Sequence, residues 1–490
     1  MYFKNQRLKL FIPILIVLSV ISCGKAHRQR EKKTKIPVQK VIKGSGTTTI
    51  VCEGCRRCHP VTLDTNHTKT CVVCHNGNSL ATTKDKAHTG MHIAPASPRQ
   101  MQDKCAKCHP EIVAGVAKSS HFTLYKAVNM VRQAFGAQKI SSLLKIPAVN
   151  KPSTPLELAD DLLRRRCLRC HPYYQGDPYP ATRHGTGCAA CHIAYENGKP
   201  ASHKFIMPGD TQCLNCHYGN FVGADYYGRF EHDFNWEYRS PFAPNDDDLQ
   251  VRPYGIRFHQ LTPDIHQRHG MSCIDCHSGQ ELMGIGNVKI TCRVCHFYKI
   301  TGSHPGNLQF SDGKLWLNTV KGEKIAVPQA VNPAHKLKKA ACQVCHALWS
   351  YNDQGTYLLR QDTNDFEEWF ALTRQGDFEV EKELEANIFF NDDSGDAHMT
   401  DKISGQDKPG IWLKSYRLRR WEPVQICRDK NGILQVCRNI LDLHLSYVNE
   451  DDKVIFDNAV PDQNSNRPQP YTPHTTGKAG VFFKQRLHPK

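Results

Sequence analysis

Only one near-continuous apolar run occurs in this chain, Leu10 to Ile21, and it follows the basic residues Lys4, Arg7 and Lys9. The run is too short to span a bilayer and reads as the apolar region of a secretory signal over residues 1–22. Residues 23–50 show no hydrophobic period. Arg28, Arg30, Lys32, Lys33 and Lys35, then Gly44, Ser45 and Gly46, make them a solvated basic tether. Helical periodicity returns in Glu111–Ala117, Leu124–Phe135 and Leu156–Arg166, whereas 218–272, rich in Tyr, Phe and Asp, reads mostly as loop. After residue 346 the pattern changes. Phe366–Ala386 reads as a helix, and Val424–Cys427 with Ile433–Cys437 reads as a hairpin across Asp429–Gly432. Leu441–Val448 and Val454–Phe456 form a second hairpin across Asn449–Lys453. A loop centred on Gly432 sets Cys427 opposite Cys437, placed for a disulfide.

Composition sharpens this outline. The 490 residues include 22 cysteines and 26 histidines, and at 39% hydrophobic the chain is no polytopic membrane protein. So many thiols suit an exported protein, or one that binds a metal or cofactor. The cysteines are ordered: Cys-x-x-Cys-His occurs nine times. The pairs are Cys55 and Cys58, Cys71 and Cys74, Cys105 and Cys108, Cys167 and Cys170, Cys188 and Cys191, Cys213 and Cys216, Cys273 and Cys276, Cys292 and Cys295, and Cys342 and Cys345. The histidines that close them are His59, His75, His109, His171, His192, His217, His277, His296 and His346. The chain's own residue frequencies predict about 0.05 chance occurrences. Two thiols at this spacing can add across the two vinyl groups of one haem, and the following imidazole then lies beneath the iron as proximal ligand. Zinc ribbons need paired half-sites, and nine is odd. A disulfide framework gives no reason for the histidine. Thioredoxin-like pairs occur singly in a βαβ context missing from this sequence.

In these motifs, residues 51–346 resemble the multihaem c-type cytochromes, distantly the octahaem tetrathionate reductase-type families among them. The resemblance implies nine covalent c-type haems and a mainly α or irregular fold organised by them. With roughly 33 residues per motif, the haems replace an ordinary core. Residues 347–490 hold 17 of the 43 aromatics, enough for a haem-free α+β cap. The segment Val20-Ile21-Ser22-Cys23 resembles a bacterial lipobox, which implies cleavage before Cys23 and lipid on that residue. Gly24 is not the aspartate associated with inner-membrane retention, so the expected address is the outer membrane, on its periplasmic face or the cell surface.

The sixth ligand of each iron has to come from outside the motifs. His67, His184 and His269 each stand four residues before a motif, and His88 or His92, His121, His203 and His304 follow motifs. His335 precedes the ninth, and His232 and His259 lie in the long gap before the seventh. The eight methionines keep no repeated spacing from a motif, so mostly bis-histidine, low-potential irons are expected. Cys52 is left over and most simply incidental. The acidic runs Asp246–Asp248 and Asp392, Asp393, Asp396 are solvated loops by default and calcium sites as the alternative.

The +17 formal charge suggests nucleic acid, but +10 of it lies before residue 44. Nine haems at about −1 each when oxidised take the remainder to about −2. Nucleic acid is therefore not an expected partner. The expected function is electron transfer at the cell envelope, in respiration or to the exterior, with other redox proteins as partners. Self-association into a filament is a variant of it. The alternative is a terminal reductase of a small nitrogen or sulfur oxyanion with one iron open to substrate.

Overall fold

The computed structural model describes residues 54–219, 223–231, 258–286, 290–297, 305–331, 335, 339–363, 379–380, 398–463, 465 and 467–488. Its recurring unit is a single turn. In five motifs the histidine N–H donates to the carbonyl of the first cysteine: His59 to Cys55 at 3.0 Å, His109 to Cys105 at 2.9 Å, His192 to Cys188 at 3.0 Å, His217 to Cys213 at 3.0 Å, and His277 to Cys273 at 2.9 Å. Three others are one-turn helices, Cys71–His75, Cys292–His296 and Cys342–His346. A helical turn sets residues three and four apart on one face, so both thiols and the imidazole converge. Helices this short are unstable alone; their surroundings must hold them.

The spacers carry more strand than a mainly α or irregular fold predicts. Ile193–Glu196 pairs with Lys199–Phe205, Arg229–Glu231 with Phe258–Gln260, and Leu308–Ser311 with Lys314–Asn318 and then Lys324–Ala326. The first and third turn on Asn197-Gly198 and Asp312-Gly313, all four residues at positive φ. Those dipeptides favour the turn whose twist matches a hairpin.

The first long gap is helical: Pro110–Val116, Ser120–Thr123, Tyr125–Ala134 and Pro155–Arg165. The last begins with Pro155 after Thr154, whose side chain and Glu157 form a reciprocal capping box. This helix lies under the C-terminal sheet, whose strand order is Ile411–Arg420, Asn352–Gln361, Leu443–Val448, Val454–Ala459. Leu443–Val448 runs parallel to Asn352–Gln361 while the other pairings are antiparallel. Leu158, Ala159 and Leu162 of the helix pack on Leu358, Trp412, Leu445 and Tyr447 of the sheet, all buried. Asp161 accepts from Trp412 Nε1 at 2.8 Å and lies 3.3 Å from Arg165 Nε and 3.4 Å from Arg360 Nη1. Residue 346 therefore marks a change of composition rather than a break in packing, and residues 53–490 form one compact unit.

The hairpin after residue 424 is Ile426–Arg428 with Leu434–Arg438. Its register places Cys427 opposite Gln435 rather than Cys437. The disulfide joins Cys427 to Cys437, the next residue on the same face, with 5.8 Å between Cα atoms. Apart from Glu379 and Val380, the expected helix Phe366–Ala386 lies outside the described residues.

Candidate functional site

Seven of the nine motif histidines face a histidine from outside the motifs at nearly constant separation. Ring centroids are 5.9 Å apart for His59 and His88, 6.3 Å for His75 and His203, and 6.3 Å for His109 and His67. They are 6.3 Å apart for His217 and His121, 6.3 Å for His277 and His474, 6.0 Å for His296 and His266, and 6.1 Å for His346 and His335. Two imidazoles sharing one metal by bonds of about 2 Å, each ring nitrogen lying about 1 Å from its centroid, have centroids about 6 Å apart. The separations fit one metal ion per pair.

Hydrogen bonds at the far ring nitrogen set the tautomer. Nδ1–H donates to a backbone carbonyl in His75 (to His92, 2.8 Å), His192 (Ile206, 2.9 Å), His296 (Pro328, 2.8 Å) and His346 (Gly477, 2.9 Å). A carbonyl only accepts, so the proton sits on Nδ1 and the Nε2 lone pair is free for a metal. Burial also holds the imidazoles of His121, His203 and His296 below their ordinary range, and that of His217 at about 4. The neutral form binds metal.

All twelve cysteines and six histidines of motifs four to nine line a single cavity of about 2930 Å3. Protein interiors are close-packed and rarely leave voids larger than a water molecule. A cavity of this size, walled by thiols and imidazoles and otherwise mostly apolar, suits large flat prosthetic groups. No motif cysteine is in a disulfide, in contrast to Cys427 and Cys437. The residues present fit covalent haem.

Contacts between thiols of different motifs reveal which sites are neighbours. Cys105 lies beside Cys188, and both pack with Met101, Val113 and Phe122. Cys213 lies beside Cys273, Cys292 beside Cys342, and Cys170 beside Cys216. Cys74 is close enough to Cys105 for electrostatic interaction, as are Cys191 to Cys213 and Cys276 to Cys295. His203 lies near both His59 and His75. By these contacts the sites run one, two, three, five, six, seven, eight, nine, with four joined to six as a branch. The order in space thus departs from the order in sequence at site four alone.

Sites four and five differ from the other seven. Among the described residues, no histidine ring stands opposite His171 or His192 at the separation of the other pairs. His171 is only 1% exposed, and its buried Nε2 has no hydrogen-bond partner among the described residues. Its Nδ1 accepts the N–H groups of Tyr173 and Tyr174, both at 3.1 Å, which reverses the ring polarity seen in His75 or His346. Burial pushes this imidazole down to about 4. His184 is buried nearby, donating Nδ1–H to Gly185 at 2.6 Å with Nε2 3.7 Å from the Cys216 sulfur.

Of the histidines singled out in the sequence, His67, His88, His121, His203 and His335 each face a motif histidine. His92 contributes its backbone carbonyl instead. His269 is exposed, and the same short helix turns His266 toward His296. His259 packs against Phe230 and Trp421. Cys23, Cys52, His232, His304 and the acidic runs at 246–248 and 392–396 lie outside the described residues. Sequence reasoning missed His266 and His474. Asp264, two residues before His266 and bonded to its ring, was a usable signal. His474 had none: buried Asp225 places it by accepting its N–H at 2.8 Å and the Tyr471 hydroxyl at 2.7 Å. The same strap donates Thr476 N–H to Asp264 and accepts from His346 at Gly477. Residues 471–477 thus reach sites seven, eight and nine. No helix among the described residues is long and apolar enough to cross a membrane. No family model, curated protein or solved structure matches the chain.

Proposed function

We propose that this chain is a multihaem c-type cytochrome that carries electrons along nine covalently bound haems at the cell envelope. The observation that carries the reading is the set of seven imidazole pairs at 5.9–6.3 Å, each joining one motif histidine to one outside the motifs. Bound haem supplies reversible one-electron chemistry at iron. The chain's part is to fix the row. Paired cysteines anchor each group, and Nδ1 hydrogen bonds orient the imidazoles. Histidines on both sides of the seven positions keep water and small ligands off the metal. Packed neighbours hold successive sites together, which favours rapid transfer along the order derived above.

On this reading Cys23 carries the lipid anchor at the outer membrane, and the partners are other redox proteins of the envelope. Either end of the row, or a second copy of the chain, would make the exchange. Paramagnetic resonance of the oxidised holoprotein tests the proposal. At least seven low-spin bis-histidine signals are expected, and mostly high-spin iron contradicts it.

One observation favours a second reading, reduction of a small nitrogen or sulfur oxyanion at site four. Beside the reversed ring of His171, the cavity is lined by Arg166, Arg169 and Lys414. Desolvation pushes the Lys414 ammonium down to about 7 against the pull of Glu231. A ligand-sensitive high-spin signal from one iron in nine would favour this reading; its absence would favour simple transfer, with the cations neutralising haem propionates.

A further inference from the structure

Two of the facing imidazoles are held differently from the others. Asp64 places its carboxylate oxygens 2.8 and 3.0 Å from Nδ1 of His67, which faces His109. Asp264 places Oδ1 2.7 Å from Nδ1 of His266, which faces His296. The motif rings His75, His192, His296 and His346 donate to neutral carbonyls instead. Among the described residues, the other carboxylates beside a paired imidazole, Asp225 at 3.9 Å from His474 and Glu281 at 3.6 Å from His277, are beyond hydrogen-bond reach.

Both aspartates are fixed by further donors. Asp64 accepts the N–H groups of Asn66 at 3.0 Å, His67 at 3.2 Å and Phe205 at 3.0 Å. Asp264 accepts those of His266 at 2.8 Å and Thr476 at 2.6 Å, and its side chain is 3% exposed. A carboxylate that accepts Nδ1–H draws the proton toward itself and makes the ring a stronger electron donor. Stronger axial donation stabilises ferric over ferrous iron and lowers the reduction potential.

Resting on the nine-haem reading, we propose that Asp64 and Asp264 are positioning residues that make sites three and eight the lowest-potential stations of the row. Their places give this a consequence. Site three separates sites one and two from the interior, and site eight separates site nine from it. An uphill step then guards each end, and sites four to seven form an inner store that retains electrons until a partner drains it.

The test is a redox titration of the full-length holoprotein and of Asp64→Asn and Asp264→Asn, followed by paramagnetic resonance. Asparagine removes the charge and keeps one acceptor oxygen; the oxygens that accept Phe205 N–H in Asp64 and Thr476 N–H in Asp264 are the ones the amide nitrogen would replace, so haem content is read alongside the potentials. In each variant one signal of nine should change its g-values and its potential should rise, with the other eight unmoved. Asp64→Glu should shift its site less than Asp64→Asn. Nine unmoved potentials at full haem content would overturn the proposal. If an asparagine variant loads fewer haems, the wild type decides. Sites three and eight, identified by the signals lost in His67→Ala and His266→Ala, must be the last two reduced; reduction of either among the first seven overturns the proposal. Failure of the nine-haem reading looks different, as a wild-type haem content below nine.

Discussion

The helix Pro155–Arg165 with its four-stranded sheet and the row of nine motif turns are built on opposite principles. In the first, Leu158, Leu162, Leu358, Trp412 and Leu445 fill the interior themselves. Buried ion pairs such as Arg132 with Asp160 at 2.7 Å and Arg164 with Asp401 at 2.7 Å fix how the elements meet. In the second, motifs four to nine surround a cavity of about 2930 Å3, and the most regular feature of the row is the separation of its paired rings. One region is held together by its own side chains; on the proposed reading the other is held by the haems its side chains would grip. The two are nevertheless not separable. A helix from between motifs three and four completes the sheet's core, and the strap 471–477 from the sheet's side reaches back to sites seven, eight and nine.

The largest effect should come from breaking the row at its junction. Site six touches sites five, seven and four through Cys213 and Cys216. Replacing both by Ala should cost more than one haem and leave no folded holoprotein, as read by intact mass and circular dichroism. Loss of one haem from an otherwise folded chain would show that the row does not depend on its parts. Next comes Trp412→Ala, which empties the sheet's core and leaves Asp161 without its indole donor. It should cost about 3–5 kcal/mol in thermal or denaturant unfolding and keep nine haems. Removing the Cys427–Cys437 bridge with two serines should cost about 2–3 kcal/mol, from the short loop it closes, again with full haem content. The smallest effect on stability, and the most selective, is expected from His474→Ala. One low-spin signal should become high-spin while unfolding is little changed. An unaltered spectrum would mean that the sheet-side strap supplies no ligand.

What could be read in the sequence follows the same division. The motif turns are local, because the thiols and the imidazole are three and four residues apart and a single hydrogen bond sets their geometry. The helices of the first gap were legible from periodicity, and Thr154-Pro155 with Glu157 marks where the last begins. Asn197-Gly198 and Asp312-Gly313 mark their two hairpins in the sequence as well. The choice between His266 and His269 depends on how one short helix is rotated, which Asp264 fixes through its bonds to His266 and Thr476. His474 depends on chain that returns from beyond the sheet to meet Asp225. No local pattern encodes that return. The disulfide partners were legible while their register was not, because a diagonal and a directly opposed pair share the same face.

The claim beneath all of this is that the nine motifs each hold a covalent haem. The intact mass of the protein under denaturing conditions tests it most directly, since thioether bonds survive unfolding. The account predicts one species heavier than the polypeptide and its processing by nine haems. A chain carrying no haem, or one that releases zinc in place of haem, would contradict it.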